Sequence, residues 1–90
     1  MTDLYVIGID VSKDTLDVFI HPEGKSQRYA NTKAGRHALL AEMSGRPVAL
    51  VVFEATGGYE RALRQTLANE DVPHACVQPT RVRHSAVSRG

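Results

Sequence analysis

Apolar positions along the chain follow several rhythms, and each predicts an element. Leu4 to Asp10 is an almost unbroken apolar run that closes on one carboxylate. A short run of this kind predicts a buried strand. Lys13, Asp14 and Thr15 predict a tight turn, and Leu16–Ile20 a second strand antiparallel to the first. His21-Pro22-Glu23-Gly24 is a further turn, because Pro presets one backbone angle and Gly accepts positive φ. Ser26–Asn31 is a weaker strand, with Tyr29 its clearest apolar residue. The three make a meander.

The period then changes. Asn31 or Thr32 is placed to cap a helix that has Gly35 near its start and an apolar stripe of Leu39, Leu40 and Met43. Ser44-Gly45-Arg46-Pro47 stops it. Val48–Phe53 is continuously apolar, which suits a central strand buried on both faces, and it ends in Glu54. Thr56-Gly57-Gly58 opens a second helix over Tyr59–Asn69, with Tyr59, Ala62, Leu63, Thr66 and Leu67 on its stripe. Val72–Val77 is a last short strand. Pro79 starts a third helix, with Val82, Ser85 and Ala86 on one face. The order is βββαβαβ followed by the start of a helix. Hairpin strands pair antiparallel and strand–helix–strand units pair parallel, so the expected fold is α/β with a mixed five-stranded sheet and helices packed against it.

Composition bounds this picture without changing it. Ninety residues suffice for one small domain. Apolar content of 42% and charged content of 23% are ordinary for a globular chain, and a net charge of +1 argues neither for nor against nucleic acid. The distribution says more. Residues 1–23 carry five acids (Asp3, Asp10, Asp14, Asp17, Glu23) against Lys13 alone, whereas residues 79–90 carry Arg81, Arg83 and Arg89 and no acid. The single cysteine, Cys76, excludes an intramolecular disulfide and reads as a buried thiol. Nothing resembles a signal peptide or a membrane span, so the expected compartment is the cytoplasm and no membrane partner is expected.

The candidate chemistry lies in two carboxylates. Asp10 and Glu54 each end an apolar strand, and a carboxylate there is costly unless it is paired, hydrogen-bonded or bound to metal. If the two strands are parallel neighbours, both acids reach one end of the sheet, where open α/β sheets build their sites. Mg²⁺ or Mn²⁺ suits such oxygen ligands, and a pair of ions about 3.5–4 Å apart supports phosphoryl transfer. The plainer reading is that each acid serves a turn: Asp10 by accepting the Ser12 and Lys13 amides, Glu54 as a helix N-terminal acid.

The motifs together resemble a known family. Gly8-Ile9-Asp10-Val11-Ser12-Lys13 with Leu16-Asp17-Val18 is one. Asn31-Thr32 with Gly35 is a second, and Glu54-Ala55-Thr56-Gly57-Gly58-Tyr59 a third. Pro79 with Val82-Arg83 and Ser85-Ala86 is the fourth. In this order they resemble the N-terminal domain of DEDD-type insertion-sequence transposases, the Piv/MooV-like recombinases. The resemblance covers nearly the whole chain, residues 1–90. It implies a RuvC-like, ribonuclease H-like fold, Mg²⁺- or Mn²⁺-dependent strand cleavage and joining on DNA, and a homo-oligomer in the full-length protein. For some members it implies a guide RNA as partner. The family's first two acids fall on Asp10 and Glu54. Its other two aspartates and its second domain are expected beyond Gly90, so the chain is expected to be an inactive N-terminal part of the catalytic domain.

Other residues carry paired readings. Ser12 and Lys13 contact phosphate or metal-bound water, or only shape the turn. The amides of Thr56, Gly57 and Gly58 bind an anion or form a cap. Tyr59 is expected in the core, and His21, His37, His74 and His84 on the surface or in structural roles. Arg81, Arg83 and Arg89 form a basic edge that meets a nucleic-acid backbone or is a solvated face, and the family resemblance favours the first. No aromatic platform for single strands is present. Two other functions compete. A sugar-kinase or actin-like ATPase would need a glycine-rich turn where Ser12-Lys13-Asp14-Thr15 stands. A non-catalytic nucleic-acid module would bind equally well without Asp10 and Glu54.

Overall fold

The computed structural model describes residues 4–78. Pro79, Arg81, Arg83, His84 and Arg89, and with them the third helix, lie outside the described residues. The elements are β1 (Tyr5–Val11), β2 (Thr15–His21), β3 (Lys25–Ala30), α1 (Lys33–Met43), β4 (Val48–Glu54), α2 (Arg61–Asn69) and β5 (His74–Val77). They form one five-stranded sheet in the order β3-β2-β1-β4-β5. β1–β2 and β2–β3 are antiparallel, and β1–β4 and β4–β5 are parallel. This is the mixed sheet of a ribonuclease H-like fold.

Alternation along the strands assigns the two faces. Ile7, Ile9, Val11, Leu16, Val18, Ile20, Val51 and Phe53 point to one side and join Leu39 and Met43 of α1 and Leu63 and Leu67 of α2 in a single core. The opposite side of the same strands carries Val6, Gly8, Asp10, Phe19, Val52 and Glu54, and no described element covers it. β4 is therefore buried on one face only, contrary to the reading of its continuous apolar run; Leu50 and Val52 are half-buried.

Local chemistry explains the boundaries. Thr32, rather than Asn31, caps α1: its Oγ1 accepts the Gly35 amide at 3.1 Å. Gly35 is obligatory for packing, since a Cβ there would lie 1.9 Å from the Ala30 carbonyl oxygen. α2 begins two residues later than its stripe implies, because Thr56–Glu60 form their own turn. Tyr59 is consequently 48% exposed and outside the core, and the buried positions are Glu60, Leu63 and Leu67. Cys76 is half-buried against the core, and His74 stacks on Phe53.

One end of the sheet is tied by paired charges. Arg46 lies over the Tyr5 ring and pairs with Glu23 and Glu42, each at 3.2 Å, while Lys25 holds Glu42 at 3.0 Å. Tyr5 donates its hydroxyl to Glu23 at 3.1 Å. Hydrogen bonds from Arg46 to Glu23, and from Lys25 to Glu42, hold both carboxyls below the usual glutamate range.

Candidate active site

The other end of the sheet carries the acids. The parallel β1–β4 ladder runs to the pair Ile9↔Phe53, and both of those side chains are buried on the helix side. The next residue on each strand points the other way, which sets Asp10 and Glu54 on the open face. Adjacent strands lie about 4.8 Å apart, so the two positions are neighbours. Both residues are exposed, and neither has an ion-pair partner among the described residues. They border a shallow groove of about 430 Å³ whose apolar lining includes Gly8, Phe19, Val52 and Val77.

A third acid stands in the same row. Asp17 lies directly across from Asp10 on β2, and Arg28 across from Asp17 on β3. The Arg28 Nε to Asp17 Oδ1 distance is 2.7 Å. Antiparallel partners share a face, so the row reads Arg28, Asp17, Asp10, Glu54 and Val77 across the sheet. The placement of Asp17 was missed in the sequence, although its parity in Leu16–Ile20 opposite the apolar positions was the available signal. Asp17 is committed to Arg28. Among the described residues no group of three or more His, Cys, Asp or Glu side chains is arranged to hold a metal ion.

The turn beside the acids is built by Ser12. Its Oγ donates to the Thr15 carbonyl at 3.1 Å, lies 2.8 Å from Thr15 Oγ1, and accepts the Thr15 amide at 3.3 Å. Turn formation thus falls to Ser12 and not to an Asp10 side chain. Lys13 is exposed at the tip, which leaves a cation within a few residues of Asp10.

The turn after Glu54 is also self-contained. The amides of Thr56 and Gly58 donate to Glu60 Oε1 at 2.9 and 3.1 Å, and the Thr56 hydroxyl reaches the same oxygen at 3.3 Å. Positive φ at Gly57 (72°) and Gly58 (108°) lets the backbone fold around that oxygen. The anion expected at these amides is thus the chain's own Glu60. The amide bonds, that of Thr56 foremost, hold the Glu60 carboxyl below its ordinary range. Glu54 itself ends β4, ahead of this turn, so it is not the first-turn acid of α2.

Comparison with known proteins agrees with the fold and the motifs. The family model for IS110-type DEDD transposases, described as a transposase, matches residues 7–89. No curated protein matches the chain.

Proposed function

The chain belongs to the IS110-type DEDD transposase family, and from that premise we propose that Asp10 and Glu54 are half of an acidic set that holds divalent metal for phosphoryl transfer on DNA. The observation that carries this is the pair of adjacent carboxylates with no ion-pair partner among the described residues, at the carboxyl ends of two parallel strands. Their donor chemistry fits the group: exposed, all-oxygen and anionic, as Mg²⁺ or Mn²⁺ requires. A bound ion pair supplies activation of the attacking oxygen and stabilisation of the leaving oxygen. The chain's own residues do the rest. Asp10 and Glu54 supply ligand oxygens, and Gly8, Phe19 and Val52 form the apolar floor of the groove beside them. Lys13, with Ser12 shaping its turn, offsets the repulsion between these acids and a phosphate backbone. Arg81, Arg83 and Arg89 add backbone contacts that are insensitive to sequence and weakened by salt.

The same reading carries the remaining expectations. DNA is the substrate, a guide RNA is a further partner, and the full-length protein works as a homo-oligomer in the cytoplasm. No helix among the described residues is long and apolar enough to cross a membrane. On the family reading Asp10 and Glu54 are two of four acids, and we propose that with this pair alone Mn²⁺ binds weakly and DNA is neither nicked nor joined. Misplacement by about 1 Å already costs roughly a hundredfold in such reactions.

Calorimetric titration with Mn²⁺ tests the metal assignment. The parent shows weak binding, and Asp10→Asn or Glu54→Gln abolishes it; equal affinity in all three overturns the assignment. Incubation with supercoiled plasmid and Mn²⁺ tests completeness. Nicking by the parent that vanishes in Asp10→Ala would show that these residues form a sufficient site.

A further inference from the structure

Asn31 sits between β3 and α1, where Thr32 has already taken the capping role. Its side chain has a different use. Nδ2 donates to the Ser12 carbonyl at 3.0 Å and to the Tyr59 carbonyl at 3.2 Å. Oδ1 accepts from Arg36 Nη1 at 2.8 Å. The Asn31 amide donates to the Asp14 carbonyl at 2.9 Å. This arrangement uses both hydrogens of the side-chain amide and its oxygen, and it fixes the amide's orientation, since only the nitrogen can serve two carbonyls.

The two carbonyls belong to the segments that leave the acid-bearing strands. Ser12 follows Asp10 by two residues, and Tyr59 follows Glu54 by five. The β1–β4 ladder stops at Ile9↔Phe53, one residue short of both acids. Beyond that point, among the described residues, no other hydrogen bond joins the Ser12–Thr15 turn to the Thr56–Glu60 turn. Adjacent like charges push strand ends apart. Asn31 opposes that push by clamping both exits from a third element.

We propose that Asn31 is a positioning residue that sets the separation of Asp10 and Glu54, and thereby the affinity of their site for a divalent cation; this rests on the metal reading above. Arg36 donates to the Asn31 oxygen but reaches neither exit segment, and the two carbonyls already fix the amide's orientation, which makes Arg36 the natural control.

The test compares the parent chain with Asn31→Ala, Asn31→Ser, Arg36→Met and Asp10→Asn. Two quantities are read: Mn²⁺ affinity by calorimetry, and amide hydrogen exchange at residues 12–15 and 56–60. Asn31→Ala is expected to weaken Mn²⁺ binding about tenfold, the scale of an outer partner that orients ligands. Exchange should rise in both segments together. Arg36→Met should stay within about twofold of the parent in affinity, an effect too small to reflect a lost ligand. Asn31→Ser replaces the alanine variant if that one does not fold. Parent-like Mn²⁺ affinity in the folded Asn31 variants, with binding still abolished by Asp10→Asn, overturns the proposal. If Asp10→Asn binds as the parent does, the metal reading fails instead. The exchange data then decide the clamp alone: a joint rise in both segments upholds it, and a rise in one only overturns it.

Discussion

Phe53 and Phe19 stand on the same sheet and face opposite ways. Phe53 is 1% exposed, enclosed by α1, α2 and the inward residues of β1 and β2, whereas Phe19 is 45% exposed on the side no described element covers. The glycines divide in the same manner. Gly35 is pressed against the Ala30 backbone, while a Cβ on Gly8 would meet nothing within 4 Å. One face is thus complete in itself. The other combines scattered apolar residues with an acid row and supplies a groove but no seal. The comparison separates two reasons for a residue to be apolar or small: on the helix side it fills volume, and on the open side it shapes the surround of Asp10 and Glu54.

Substitutions can break or sharpen that division, and the largest effect falls on the helix side. Phe53→Ala should destabilise by about 3–5 kcal/mol, the range for emptying a buried aromatic site. Phe19→Ala should cost less than about 1 kcal/mol. Urea unfolding of both variants measures the difference, and equal losses would erase the distinction between the faces. Next in size is Gly35→Ala. The clash is with backbone, so α1 must shift, at a cost of about 1–3 kcal/mol. Gly8→Ala should stay within about 0.5 kcal/mol of the parent.

A smaller effect follows from pH. Glu60, Glu23 and Glu42 are all held below the ordinary value of 4.5 in the fold. A depressed carboxyl contributes stability that is fully present above its unfolded value and is lost as pH falls through its folded value. The melting temperature should therefore hold above pH 4.5 and fall below it, and Glu60→Gln should flatten part of that slope. A melting temperature that rises on acidification would contradict the assignment. The smallest change expected is Asp10→Asn without metal, within about 0.5 kcal/mol of the parent, since this exposed acid has no ion pair to lose. A marked loss there would mean that Asp10 serves the fold.

Much of this was legible in the sequence, because the information was periodic. Every described element appears in the expected order, with Glu54 the last residue of β4 and Asp10 the last but one of β1, which runs one residue further than its apolar run implied. What escaped depended on the third dimension. The run Val48–Phe53 gave no sign of which alternate residues would meet the helices, since all of them are apolar. Tyr59 kept the helical period and yet lies outside the helix, because Glu60 draws the preceding turn around its own carboxylate. The Asp17–Arg28 pair needed the β2–β3 register. The reach of Asn31 to Ser12 and Tyr59 needed the tertiary fold, and a lone asparagine beside a better cap offers no hint of it.

The parallel alignment of β1 and β4 also limits how such a chain can change length over time. Residues in a strand alternate sides, so one residue inserted between Val51 and Glu54 would turn the carboxylate toward Leu63 and Leu67 and away from Asp10. The same holds between Ile7 and Asp10. The Pro22–Gly24 and Ser44–Pro47 turns lie at the far end of the sheet and carry no such parity. Related chains should vary in length more readily at those two turns, where the contact put at risk is the Arg46–Glu23 pair, than within the two acid-bearing strands, whose residue count should stay constant.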